Sequence, residues 1–353
     1  MLRAARFCSH ATTARCLVPA FSHHAPALRL LSTSADGKPS RTALIKELRA
    51  RTSAPMKKCV EALTAAGDDI EEAVTVLRKA GLAAAQKKAS RGASEGGVAI
   101  AHGPLGAALV EINSETDFVA RNDLFQTLAV STASTALHGA GAAGDMGPVT
   151  QLDTSAIGAS VLVGPTDAKS ASTSVTEAMG VAVSQLGENL VLRRACLLRN
   201  PDEGGVVASY VHNAYAPGVG RTAAAVVLRS NATDSAALRT LGEQLSMHVV
   251  AATPRFLDRS SVDEAAVARE RDILAEQAKA SGKAEDVIAK MVEGRLKKFY
   301  GEACLLEQTY LIEENAGTVA KVLAAAGTSL GAPVTIEGFV RFHVGEASGS
   351  ADE

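Results

Sequence analysis

The sequence predicts an α+β protein: a small three-helix bundle, then a core of two similar α+β subdomains carrying an antiparallel helical hairpin. Three observations predict this. Apolar residues recur three and four apart through residues 42–81, the period of helices that bury one face. Two later stretches repeat one plan, in which a pair of apolar strand-like runs leads to a helix with one apolar stripe and then to a returning run. Residues 262–299 show two helical stripes broken at Ser281-Gly282, with charged outer faces, as a protruding helical pair requires.

The elements follow in order. A helix over Thr42–Arg51 places Leu44, Ile45 and Leu48 on one face. Thr52-Ser53-Ala54-Pro55 interrupts it, and Pro55 suits the first position of a second helix, where its missing N–H costs nothing. The second helix has a stripe of Met56, Cys59, Val60 and Leu63. Gly67-Asp68 turns the chain and Asp68 caps a third helix carrying Ile70, Ala73, Val74 and Leu77, which stops at Gly81. Three short helices at 41–82 resemble a ubiquitin-associated (UBA-like) bundle. The basic, small-residue stretch 83–97 reads as a helical extension fading into a linker.

The first subdomain is expected over 98–204, with strands at Val98–Ala101, Ala107–Ile112 and Leu190–Leu198 and a helix capped by Asn122-Asp123. The second is expected over 205–346. It has strands at Val206–His212 and Thr222–Arg229, a helix over Asp234–Ala252, the hairpin, and a late strand at Val334–Val344. Residues 347–353 form a tail.

The first 35 residues carry Arg3, Arg6, Arg15 and Arg29, with no lysine and no acid, and lack a continuous apolar centre. That composition is expected of an organellar transit peptide ending near residue 40, for the mitochondrial matrix or alternatively a plastid. Without those four arginines, 32 basic residues face 38 acidic ones, a net charge near −6. Such a chain lacks the basic surface that general phosphate binding needs, so no direct nucleic-acid partner is expected. No apolar run reaches the ~18 residues of a membrane-spanning helix. Outside the first 40 residues the cysteines are Cys59, Cys196 and Cys304, odd in number and widely spaced, which argues against disulfides and a zinc site and for buried thiols.

Several short patterns look like chemistry and lack its context. Residues 139–144 match G-x-G-x-x-G, but a helix precedes them where the dinucleotide motif needs a strand. Gly92-Ala93-Ser94-Glu95-Gly96 matches a nucleophile elbow, yet follows a lysine-rich helix, and no acid or histidine is singled out for Ser94. Gly218 and Gly220 sit in a hairpin turn, and no phosphate-cradling P-loop occurs. His102, His138, His212, His248 and His343 have no metal spacing; His248 adjoins an apolar stripe and reads as a core histidine. No catalytic residue, metal ligand or cofactor is therefore expected.

Residues Glu111-Ile112-Asn113-Ser114-Glu115-Thr116-Asp117-Phe118-Val119-Ala120-Arg121 are similar, position for position, to a signature of the elongation factor Ts family. A second signature of that family matches Leu48–Cys59 and closes at Ala62-Leu63, with Pro55 where a glycine or serine is usual and Val60 where a lysine is usual. Further similar segments are Gly187-Glu188-Asn189-Leu190 with Arg193-Arg194, Met247-His248-Val249, Val292–Phe299 and Gly338–Glu346, so the resemblance covers about residues 42–346. The resemblance implies a guanine-nucleotide exchange factor of elongation factor Tu, met both GDP-bound and nucleotide-free, with no covalent chemistry. It implies that Thr116, Asp117, Phe118 and Val119 enter the partner near the Mg²⁺ and phosphates of GDP, Phe118 as an apolar wedge. Arg49, Thr52 and Met56 on the helical unit, and the strand-end His212, are further implied contacts. A protein-binding adaptor acting through the bundle alone is the alternative, and it predicts no effect on nucleotide release.

Overall fold

The computed structural model describes residues 40–52, 54–139, 147–164, 173–202, 204–279 and 285–346. Helices α1 (Arg41–Thr52), α2 (Met56–Ala65) and α3 (Ile70–Lys88) pack around Leu44, Leu48, Ala54, Cys59, Leu63 and Ala73. Pro55 takes the N-cap position of α2 with no side-chain cap. Asp69, not Asp68, caps α3 by accepting from Glu72 N at 2.9 Å, because Gly67 and Asp68 are both used in left-handed conformation to turn the chain. Two residues expected inside are outside: Met56 is 59% exposed, and Val60 is also open to solvent. Cys59, Ala62 and Leu63 fill the small core from one stripe, and Val60 lies about 100° round the helix from Cys59.

Helix α3 also does not stop at Gly81. It continues to Lys88, so the connection to the next element is only residues 89–94. A Cβ on Gly81 would lie 3.1 Å from the backbone carbonyl carbon of Gly180. The glycine marks a close helix crossing, not a helix end.

Strands β1 (Glu95–Gly103) and β2 (Gly106–Ser114) form an antiparallel hairpin from Glu95↔Ser114 to Gly103↔Gly106. The four-residue α4 (Asp117–Ala120), α5 (Asp123–Gly139), β3 (Val149–Leu152), α6 (Thr154–Ala159), α7 (Val175–Leu186) and β4 (Leu190–Arg199) follow. Asn122 starts α5 by accepting from Leu124 N at 2.9 Å. Ser174 and Glu177 form a reciprocal capping box on α7. The second half comprises β5 (Gly205–Ala216), β6 (Val219–Arg229), α8 (Ser235–Ala252), α9 (Glu264–Lys279), α10 (Glu285–Ala303), α11 (Val319–Leu330) and β7 (Thr335–His343). Asp234 caps α8, and Leu238, Leu241, Leu245 and Val249 point inward from it. Val267 of α9 packs on Ile288, Val292 and Leu296 of α10; the Ser281-Gly282 break lies outside the described residues.

The strands form one antiparallel sheet in the order β3-β4-β2-β1-β6-β5. One edge of β6 is occupied by β5; the other is shared, with β1 at Val219 and Gly220 and β7 from Thr222 onward. Strand period 2 sorts the residues by face. Ala99, Val110, Ile112, Ala195 and Leu197 face α5 and α7. Their neighbours Val98, Ile100, Leu109, Cys196 and Leu198 face Ala223, Ala225, Val227, Val340 and Phe342 of the second half. Ala224, Val226 and Leu228 turn the other way, onto α8 and α11. The sheet folds over on itself between two helical layers, and its inner strands are covered on both faces. That is why β2 is buried at every position: its start, Gly106–Val110, is a continuous apolar run, and Glu111, Asn113 and Ser114 beyond it are buried polar residues.

The three cysteines of the described residues are buried; burial pushes the Cys196 thiol up to about 12 and Cys304 up to about 11. Ser94 leads directly from a loop into β1, so the nucleophile-elbow geometry is absent there. Gly139 ends a helix, and residues 140–144 of the glycine pattern lie outside the described residues. Among the described residues no helix is long and apolar enough to cross a membrane, and no three histidine, cysteine or acidic side chains are grouped to hold a metal.

Candidate functional site

The end of β2 carries polar side chains into a buried position, and each is used internally. Glu111 accepts from Arg194 Nε at 2.6 Å, from Asn113 Nδ2 at 3.0 Å and from Gly345 N at 2.9 Å. Asn113 also donates to the Glu95 carbonyl at 3.1 Å. Ser114 Oγ donates to the Thr116 carbonyl at 2.8 Å. Where the β2–β4 ladder ends, at Ser114↔Leu190, the next residues of each strand continue the contact through side chains. Glu115 Oε1 accepts from Asn189 N at 2.7 Å. In return, Glu188 accepts from Thr116 N at 2.9 Å through Oε2 and from Thr116 Oγ1 at 2.6 Å through Oε1.

Helix α4 starts from this clasp. Val119 and Ala120 enter the first core cluster beside Phe125 and Val219. On so short a helix, anchoring those two leaves the preceding pair outward. Phe118 is 80% exposed, an unusual state for a side chain of this size in a chain with 3% aromatics. Asp117 lies 3.9 Å from Arg121 one turn on, and the Arg121 guanidinium sits over the Tyr215 ring, 5.2 Å from its centroid. Tyr215 is on β5, so the tip rests against the strand that carries His212.

Of the four tip residues expected to meet a partner, the structure exposes Phe118, leaves Asp117 partly open and fastens Thr116 to Glu188. Val119 is corrected: at 8% exposure it is a core anchor, and its contribution is to hold Phe118 outward. His212 is exposed, with Tyr210 Oη 3.2 Å from its Nδ1, beside Asn213 in left-handed conformation. Arg49 and Met56 are exposed on the bundle; Thr52 is half-buried, its carbonyl accepting from Gln185 Nε2 at 2.9 Å. The Lys58 ammonium meets the Ser184 carbonyl at 3.0 Å, and Arg78 Nη2 donates to Thr173 Oγ1 at 2.9 Å. Contacts to α7 and to the segment leading into it therefore hold the bundle.

Sequence reasoning missed Glu188, Arg194, Gln185 and Tyr215 as parts of this arrangement. Glu188 and Arg194 stood within segments of family resemblance but had no assigned partner, since Glu188 lies 72 residues from Thr116.

A family model described as elongation factor TS matches residues 115–346, from the clasp through both halves of the sheet. The chain belongs to the elongation factor Ts family. The elongation factor Ts of Rhodospirillum rubrum is 47% identical over 304 residues, covering 86% of this chain and 92% of that protein. Those of Paramagnetospirillum magneticum and Rhizobium meliloti are 46% and 41% identical, each over 86% of this chain and covering 90% and 92% of the relative. Within this elongation factor Ts fold, the α4 tip is a solvent-facing apolar point backed by the part-buried bonds of Thr116 to Glu188 and Asn189 to Glu115.

Proposed function

We propose that this member of the elongation factor Ts family is a translation elongation factor that speeds GDP release from elongation factor Tu. The observation that carries the reading is the exposed Phe118 ring on an anchored four-residue helix. Inserted beside the partner's nucleotide, the ring displaces apolar side chains, and Asp117 beside it meets or repels polar groups. Mg²⁺ tolerates little departure from octahedral ligation, so a small shift of its ligands weakens the whole metal–diphosphate site. Linkage makes the effect reciprocal: the factor by which this protein weakens GDP binding is the factor by which GDP weakens its own binding. Each tenfold of that coupling is about 1.4 kcal/mol. No covalent step is involved.

The exposed Arg49 and Met56 of the bundle, the half-buried Thr52 and the exposed β5 residue His212 supply further contacts in this reading. The arginine-rich, acid-free start of the chain supports a mitochondrial site of action, with the partner being the Tu of the same organelle. The relatives that set the family are bacterial, and the 304 residues matched leave 49 of the 353 outside the similarity.

The deciding experiment follows release of a fluorescent GDP analogue from organellar Tu by stopped flow, with the wild-type chain and with Phe118→Ala. Acceleration by the wild type that Phe118→Ala loses is the expected result. Binding without acceleration would instead mark an adaptor working through the bundle.

A further inference from the structure

We propose that Glu188 is the positioning residue of the exchange tip: its carboxylate clamps Thr116 and thereby fixes where the Phe118 ring stands. The proposal rests on the exchange reading above. Thr116 occupies the N-cap of α4, where a threonine hydroxyl ordinarily accepts from the helix's own free N–H groups. Here it makes no such cap, and its hydroxyl and its backbone N–H both donate to Glu188 instead. Two donors on one carboxylate set the orientation as well as the distance of the residue preceding α4. The opposing bond from Asn189 N to Glu115 closes the clasp from the other side.

The other end of the clamp is equally fixed. Glu188 follows Gly187, which ends α7 in left-handed conformation and whose carbonyl accepts from Lys88 of α3. One helix, α7, therefore carries the bundle at Gly180, Ser184 and Gln185 and the tip at Glu188 directly beyond its end. The outward face of the bundle and the Phe118 ring are held at a set separation by this single element. A partner that engages both meets the ring at a predetermined depth, and Glu188 transmits that placement to the ring.

A positioning role differs from a merely stabilising one in what it changes. With Tu carrying fluorescent GDP in excess nucleotide, release is measured against concentration of the full chain for wild type, Glu188→Gln, Phe118→Ala and the double variant. Glu188→Gln is expected to lower the maximal release rate about tenfold, the scale of losing a hydrogen bond to a charged group. The half-saturating concentration should stay within about twofold, because the docking faces are untouched. In the Glu188→Gln background, Phe118→Ala should add little, since residues acting as a unit are not additive. Thr116→Val, which removes the hydroxyl but keeps the amide bond, is the second variant should Glu188→Gln lose its fold, and it should show the same split. An unchanged maximal rate, or a Phe118→Ala effect as large in the variant as in the wild type, overturns the role of Glu188. If Phe118→Ala alone leaves the wild-type rate intact, the exchange reading itself fails, whatever Glu188 does.

Discussion

Glu111 and Arg194 form an ion pair of 2.6 Å in which the carboxylate is fully buried and the arginine side chain is 16% exposed. The pair sits where the first half of the sheet meets the end of β7. Arg194 also donates to the His343 carbonyl at 3.1 Å and lies over the Phe342 ring, while Glu111 takes the Gly345 N–H. Removing one partner of a buried pair strands the other charge. Glu111→Gln is therefore expected to cost about 3–5 kcal/mol in urea unfolding, and Arg194→Met added to it should restore part of the loss. Additive losses in the double variant would show that the two do not act as a pair.

Phe118→Ala should separate stability from function. With the ring out in solvent, the unfolding free energy is expected to change by no more than about 0.5 kcal/mol. GDP release from Tu should slow markedly in the same preparation. A large drop in unfolding midpoint would mean that the ring is packed in solution.

The Gly81–Gly180 crossing predicts a third result. A Cβ on Gly180 would lie 3.2 Å from the Gly81 carbonyl carbon and from Leu82 N, backbone atoms that cannot swing aside. Gly180→Val should destabilise by about 1–3 kcal/mol, as overpacking does. Amide exchange at the α3–α7 contact should quicken, while α8 and α11 stay protected. Equal loosening everywhere would argue against a local crossing.

Acid should weaken the fold before the carboxylates titrate. Burial lowers the affinity of His102, His248 and His343 for protons below the ordinary value of 6.5. His248 is the clearest case: its Nε2 is 3.0 Å from Gln308 Oε1 and its Nδ1 accepts from Leu311 N at 3.3 Å, so a proton on Nδ1 would face another donor. Between the depressed folded value and 6.5 the unfolded chain binds more protons, so stability falls as pH falls through that window and is flat above it. Melting temperatures from pH 7.5 to 5.5 should decline, and His248→Leu should flatten the slope whatever it does to the midpoint. A pH-independent melt would contradict the neutral assignment.

Much of this was legible in the sequence because it is local. The stripe Leu238, Leu241, Leu245 and Val249 marks α8, and the Thr116–Phe118 segment marks the place where the structure exposes an aromatic ring. What failed was what depends on distant chain. A glycine that ends a helix and one that lets another helix approach look the same, and only Gly180, 99 residues away, makes Gly81 the second kind. Met56 and Val60 read as core because apolar spacing does not reveal how little core three short helices need. Val119 read as part of a contact motif because its inward direction is set by Phe125 and Val219. Helix α11 has no counterpart among the elements expected from the sequence, although Val319 and Leu323 lie inward four residues apart on it.

Strand β6 has a consequence for how the molecule comes apart. The halves meet through a short β1–β6 pairing at Val219 and Gly220 and through the shared apolar layer of Val98, Leu109, Cys196, Ala223, Val227 and Phe342, so taking either half away would open that layer to water. The halves, similar as their plans are, should melt as a single cooperative unit, and a chain shortened to one of them would be expected to clump rather than survive as a smaller working piece.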